Sequence, residues 1–332
     1  MFTPDINNDI IKSVKFNVMK GPYKMKNIQF TGIRSAILTP LNADSTVKRE
    51  AVKPLVDFTL DRGVKGFYVS GSTGEGPVLN QEARKAIVEE TIKAAKSRKT
   101  VDGKTPDVIV HVAAPYTPDA FDLAKFAKDA GADCISSLAP NFYGAAHTKD
   151  EVLDYYKRLA DVTDLPLLVY ATPILTNSIK DLKGFFEEAM KIDRVIGLKY
   201  TIRDYYNLSM LKQINGGDIN IINGPDETLL GGLAMGADGG IGSTYNFCPE
   251  LFVNIWNKFH AGDFEGARAD QAMVNNIITT FMQSRGGYLT ACKAALRIYG
   301  IDVGQCAYPR VRYDDSEVKA LKERLEAAGM MF

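Results

Sequence analysis

Lys199 ends the apolar run Val195-Ile-Gly-Leu-Lys199. Two readings fit a lysine there. Its stem can lie along apolar surface while the ammonium reaches water at a strand end. Alternatively, a desolvated lysine is neutral more often than a solvated one and attacks a ketone to form a Schiff base. The imine then takes up the electron pair released when an adjacent carbon–carbon bond breaks, and a nearby tyrosine supplies the acid–base step. Gly71-Ser-Thr-Gly-Glu-Gly76 has the glycines of an anion cradle but neither the GxxxxGK[ST] nor the GxGxxG spacing. Its backbone N–H groups suit a carboxylate as well as a phosphate, and a plain strand–helix turn is the other reading. Glu75 reads as a partner for local backbone or hydroxyl groups. Asp226-Glu227, following Asn223-Gly224, either favours a helix N-terminus or accepts hydrogen bonds from sugar hydroxyls. Tyr143, in Pro140-Asn-Phe-Tyr-Gly144, is a loop aromatic with a packing role as its alternative. Tyr155-Tyr156 and Tyr205-Tyr206 read as core or interface residues.

Other chemistries find little support. His111, His147 and His260 are far apart and none belongs to an HExxH pattern, so no metal is expected. Cys134, Cys248, Cys292 and Cys306 are scattered without a CxxC pair and read as reduced thiols of a cytoplasmic protein. The 332 residues carry 40 Lys+Arg against 40 Asp+Glu. That balance argues against a nucleic-acid partner, which calls for excess cations, and against a polybasic membrane anchor. Apolar runs fall short of the ~20 residues of a spanning helix. The first 30 residues hold no apolar stretch of signal-peptide length.

Short β-branched runs alternating with helical periodicity supply the elements that must position these groups. Strands are expected at 33–38, 66–70, 107–112, 134–138, 166–170, 195–199, 219–223 and 239–243. Helices are expected at 47–62, 81–95, 119–130, 149–162, 179–190, 204–214, 227–235 and 249–260. Arg62-Gly63, Ala130-Gly131 and Met235-Gly236 read as C-terminal glycine caps. Eight strand–helix units point to a (β/α)8 TIM barrel rather than a doubly wound sheet of five or six strands. Residues 263–332 contain no strand-like run and read as three helices, at 264–283, 290–299 and 315–329. The expected division is an N-terminal extension, 1–29, a barrel, 30–260, and a helical C-terminal region packed on it, 261–332. In such a barrel the active site lies at the C-terminal strand ends. The polar residues there are Thr39, Ser72, Thr73, Tyr143, Tyr170, Lys199, Asp226, Glu227 and Ser243.

Gly71-Ser-Thr-Gly-Glu75 together with Gly197-Leu-Lys199 resembles the pyruvate-dependent class I aldolase superfamily of dihydrodipicolinate synthase and N-acetylneuraminate lyase. The likeness runs from about Phe30 to the C-terminus. Thr201, two positions after Lys199, Gly224-Pro-Asp-Glu227 and Asp238-Gly-Gly-Ile-Gly-Ser-Thr-Tyr-Asn246 resemble the lyase branch. The synthase branch usually has an arginine five residues past its catalytic tyrosine. Counted from Tyr143 that position is Thr148. The resemblance implies that Lys199 forms the imine with a keto acid and that Tyr143 shuttles the proton of the C4 hydroxyl. It implies that Ser72 and Thr73 bind the pyruvyl carboxylate. Thr201, Gly224, Asp226, Glu227 and Ser243 would hold the sugar chain. It further implies a small 2-keto sugar acid as substrate, no cofactor, and a homotetramer. Pro225, Asn177 and Asn141-Phe142 depart from the lyase pattern and bear on sugar specificity, not on the Schiff-base step. Another sugar-acid aldolase, a synthase-like condensation and a sugar-acid sensor are the alternatives.

Overall fold

The computed structural model describes Asn27 and residues 29–140 and 146–332. Tyr143 and most of the expected N-terminal extension lie outside the described residues.

The eight strands are β1 Gly32–Ala36, β2 Gly66–Val69, β3 Asp107–His111, β4 Cys134–Ser137, β5 Leu167–Ala171, β6 Val195–Tyr200, β7 Asn220–Asn223 and β8 Gly239–Gly242. Each pairs in parallel with the next, and β8 pairs with β1, so the sheet closes in sequence order. Parallel strands covered on both faces need apolar side chains at successive positions, which is why these runs are continuous in the sequence. Outside them run α1 Val52–Leu60, α2 Gln81–Lys96, α3 Thr117–Asp129, α4 Lys149–Asp161, α5 Pro173–Ser178, α6 Leu182–Ala189, α7 Tyr205–Leu211, α8 Leu229–Ala234 and α9 Pro249–Ala261. The chain then adds α10 Phe264–Met282, α11 Gly287–Leu296 and α12 Asp315–Ala327.

The helix expected at 179–190 is α6, Leu182–Ala189, and a short helix that the sequence does not suggest, α5, precedes it. Proline needs no N–H partner in a first turn, so Pro173 opens α5 directly after β5. The chain leaves helical geometry at Ile179, and the Asp181 carboxylate accepts from Gly184 N at 2.9 Å to start α6. The helix expected at 290–299 starts three residues earlier, where Gly286, at φ 72°, makes the turn into α11.

Phe30, Tyr68, Ile109, Cys134, Leu168, Ile196, Ile222 and Ile241 fill the barrel interior. Phe30 lies at its N-terminal end, where its backbone N–H donates to Asn220 Oδ1 at 2.8 Å and its carbonyl accepts from Asn220 Nδ2 at 3.0 Å. The Arg34 guanidinium lies 5.0 Å from the Phe30 ring centroid and donates to both Asp107 oxygens, at 2.6 and 2.7 Å. The opposite end is left to the loops.

Strand β6 breaks its own alternation. Leu167 pairs with Val195, but Leu168 pairs with Gly197, so Ile196 is an extra residue in the ladder. A bulge of this kind re-aims the side chains that follow it. Ile196 faces the interior and Leu198 faces the helices. Lys199, opposite the inward Tyr170, therefore also points inward. Strict alternation from Ile196 would have turned Lys199 outward. Gly197 makes the bulge fit: its φ is +154°, and a Cβ there would lie 2.0 Å from the Asn220 carbonyl oxygen. Gly197→Ala should cost roughly 3 kcal/mol from overpacking and backbone strain. The measurement is the urea midpoint, and a midpoint equal to wild type would refute this account of the bulge.

Candidate active site

Lys199 is 5% exposed and stands over two aromatic faces. Its Nζ is 4.0 Å from the Tyr170 ring centroid and 4.9 Å from that of Tyr68. Among the described residues no carboxylate lies within ion-pairing distance of it. Burial pushes the Tyr170 phenol up, but the Lys199 charge and the polar hydrogens of Lys199, Thr201 and Ser72 facing it prevail. The net shift is downward. A phenol that ionises more easily beside a buried amine is suited to proton transfer. Beneath this pair, Tyr68 donates to Ser136 Oγ at 3.0 Å, and His111 meets Tyr170 edge-on with centroids 5.6 Å apart. Burial and the Arg84 charge hold His111 down at about 3, so its imidazole is neutral at ordinary pH. Its Nδ1–H donates to the Ser70 carbonyl at 3.2 Å, since a carbonyl only accepts.

The glycine-rich loop between β2 and α2 is bracketed by two left-handed residues that are not glycine, Ser70 at φ 61° and Glu75 at φ 58°. Such conformations cost of order 1–3 kcal/mol each and persist where surrounding contacts fix them. Arg84 Nε donates to Ser70 Oγ at 2.9 Å, and Lys293 Nζ donates to Glu75 Oε1 at 2.6 Å. Between these anchors Ser72 is exposed and Thr73 half-buried. Ser72 faces Tyr170, and Thr73 Oγ1 is hydrogen-bonded to Ser243 Oγ at the end of β8.

A cavity of about 610 Å³ opens beside them. Thr201, Gly224, Asp226, Glu227 and Ser243, all named from the sequence, line it. Asp226 is 7% exposed, and its Oδ2 accepts from Thr244 N and Thr244 Oγ1, both at 2.6 Å. Burial raises it to about 6 against the pull of those two hydrogen bonds. The carboxylate sits so close to β8 that a Cβ on Gly242 would lie 1.9 Å from Asp226 Oδ1. Glu227 is half-buried and ion-paired with Arg203, which is 69% exposed at the rim. Ile278, Met282 and Tyr288 of the C-terminal region form the far wall. Among the described residues no cluster of three metal-ligating side chains occurs.

The structure thus brings together Lys199, Ser72 and Thr73 with the five cavity residues. Tyr143 lies outside the described residues. Among the described residues the tyrosine nearest Lys199 is Tyr170, which the sequence offers only as the polar end of the fifth strand. The available signal is parity. With the Ile196 bulge, Tyr170 and Lys199 are paired residues on neighbouring strands, both inward. Sequence reasoning misses Thr244 and Tyr288 because their partners are distant along the chain, and it considers His111 only as a metal ligand.

Residues 29–328 match the model of the dihydrodipicolinate synthetase family. The N-acetylneuraminate lyase of Rhizobium meliloti (strain 1021) is 35% identical over 300 residues, 89% of this chain and 94% of that one. That of Mediterraneibacter gnavus is 30% identical over 90% of this chain and 93% of its own. The N-acetylneuraminate lyase structure from Aliivibrio salmonicida superposes with a TM-score of 0.83 at 26% identity, covering 92% and 98% of the two chains. The sialic acid aldolase of Ruminococcus gnavus, solved as its catalytic lysine mutant, gives 0.81 at 28% identity over 90% and 95%. A match across nearly the whole chain and the barrel's closure in the same residues agree, and the chain belongs to the dihydrodipicolinate synthetase family.

Proposed function

We propose that this protein is a Schiff-base aldolase that reversibly cleaves N-acetylneuraminate to pyruvate and N-acetylmannosamine. The observation that carries the reading is the buried Lys199 ammonium at 4.0 Å from the Tyr170 ring centroid, inside the C-terminal mouth of the barrel. The lyases named above support the substrate.

In the proposed reaction the neutral Lys199 amine adds to the C2 ketone of the open-chain sugar acid and water leaves, giving an iminium. Ser72 and Thr73 hold the carboxylate through hydroxyls and backbone N–H groups. The Tyr170 phenolate removes the C4 hydroxyl proton, the C3–C4 bond breaks, and its electrons pass into the iminium to form an enamine. The aldehyde departs, C3 takes up a proton, and water releases pyruvate and restores the amine. We assign to Tyr170, whose ring is the nearest to Lys199 among the described residues, the proton-shuttle role that the family resemblance implies for Tyr143. The iminium is itself the electron sink, so the cycle calls for no metal or organic cofactor. Thr201, Gly224, Asp226, Glu227 and Ser243 receive the hydroxylated chain. A cytoplasmic homotetramer completes the proposal. Counted from Tyr170, the position of the synthase arginine is Leu175, 1% exposed, which offers nothing to a second carboxylate.

Borohydride with pyruvate should leave an adduct on Lys199, detectable by mass. Lys199→Ala should abolish turnover with folding intact, and Tyr170→Phe should lower kcat by roughly 10²–10⁴. Wild-type-like activity in either variant overturns its assigned role. A panel of 2-keto sugar acids scored by pyruvate release tests the substrate. N-acetylneuraminate should lead, and equal turnover of an acid lacking the glycerol tail would sink the assignment.

Asp226 gives a pH dependence. As the pH falls through about 6 it takes up a proton and loses acceptor capacity, so KM for N-acetylmannosamine should rise on the acid side. Asp226→Asn should flatten that limb. The stability sign is opposite: its contribution is full below about pH 4 and is lost as the pH rises to about 6. Chemical denaturation across that range reads it, and a wild-type slope indistinguishable from that of Asp226→Asn refutes the assignment.

A further inference from the structure

Helix α11 contains the segment Thr290-Ala-Cys-Lys-Ala-Ala-Leu296, buried at every position. A helix buried all round lies in the core, and Lys293 is a full charge within it, 2% exposed. All three of its ammonium protons are used. They go to the Thr39 carbonyl at 2.7 Å, Glu75 Oε1 at 2.6 Å and the Gln305 carbonyl at 2.7 Å. Glu75 Oε2 accepts from Ala307 N at 2.7 Å. Thr39 Oγ1 donates to the Gly74 carbonyl at 2.6 Å. The ammonium therefore grips the Ser72–Thr73 loop directly at Glu75 and indirectly at Gly74. A buried ion pair is a poor device for stability alone, since apolar residues of similar volume often serve as well or better.

Five residues earlier on the same helix, the Tyr288 hydroxyl lies 2.6 Å from Thr244 Oγ1. Thr244 spends its proton on Asp226 Oδ2, so the phenol donates to Thr244. The bonds run one way, Tyr288 to Thr244 to Asp226. Neighbouring α10 adds Gln271 Nε2, which donates to the Asp226 carbonyl at 3.1 Å.

We propose that α11 positions both ends of the substrate site, Lys293 setting the carboxylate-binding loop through Glu75 and Thr39, and Tyr288 setting Asp226 through Thr244. Lys293, Glu75 and Tyr288 are positioning residues, and the assignment of the two ends rests on the proposed aldolase reading.

The test is a split between two Michaelis constants in the condensation direction, using the full chain. The double variant Glu75→Gln/Lys293→Met removes both charges together. It should raise KM for pyruvate about tenfold, the size expected for losing hydrogen bonds to charged groups, with KM for N-acetylmannosamine unchanged. Tyr288→Phe should do the reverse, raising KM for N-acetylmannosamine about fivefold. Thr39→Val keeps the volume and both charges, and should raise KM for pyruvate alone even if the double variant fails to fold. A purely structural role would lower the melting temperature without separating the two constants, and that outcome overturns the proposal. Pyruvate trapping by wild type is run first. Its failure overturns the aldolase reading and this proposal with it, whereas trapping with unsplit constants overturns this proposal alone.

Discussion

An ammonium buried at a barrel mouth, over two tyrosine faces and, among the described residues, without a carboxylate beside it, is the constraint on which the rest of this site depends. Removing an ammonium from water costs several kcal/mol. The ring quadrupoles of Tyr170 and Tyr68 return about 2 kcal/mol where water is excluded. A carboxylate in contact with Lys199 would offset more of the cost, but it would also hold the amine charged and out of the reaction. Aromatic faces stabilise the cation without pairing with it. Neutral His111 fits the same logic, because a second cation in that layer would repel the first.

Backbone geometry enforces this arrangement. The extra residue at Ile196 turns Lys199 into the barrel, and Gly197 permits the close approach to β7. At the mouth the left-handed Ser70 and Glu75 carry backbone strain, and each of these is held by a long cationic side chain from a helix. The other end of the barrel is closed by side chains. Phe30, Asn220 and the bidentate Arg34–Asp107 pair occupy it with groups that satisfy one another.

The barrel is legible in the sequence because its signals are local. Each strand is a run of apolar residues, and Gly63, Gly131 and Gly236 take the positive φ expected of helix caps. The helix expected from 179 starts only at Leu182, because its beginning rests on one side-chain cap, Asp181 to Gly184, which apolar periodicity does not register. Lys199 and the glycine-rich loop are legible because a buried lysine and clustered glycines are costly without a purpose. The choice between Tyr143 and Tyr170 is not legible by the same means. Both tyrosines lie at or beyond strand C-terminal ends, and only the bulge-corrected register with β6 pairs Tyr170 with Lys199. The contacts of Lys293 with Glu75, Tyr288 with Thr244 and Gln271 with Asp226 each join residues more than 40 positions apart, where no pattern in the chain indicates them.

The two ends of the site differ in rigidity, and the difference assigns them different duties. Behind the loop proposed to take the carboxylate, Glu75, Thr39 and Lys293 are buried, mutually satisfied and fixed by a fully used ammonium. A small shift there would leave a charge unpaired in the core, so that end tolerates little variation. At the proposed sugar end Asp226 is equally fixed, but Glu227 meets Arg203 at the rim, where water and salt screen the pair. Exposed pairs of this kind contribute about 0–1 kcal/mol. Their geometry is therefore cheap to alter, and Pro225 beside them shortens the wall where a larger side chain would narrow the cavity. In the proposed enzyme the chemistry is thus confined to buried groups, while selection among sugar chains falls to the rim residues Arg203, Pro225 and Glu227.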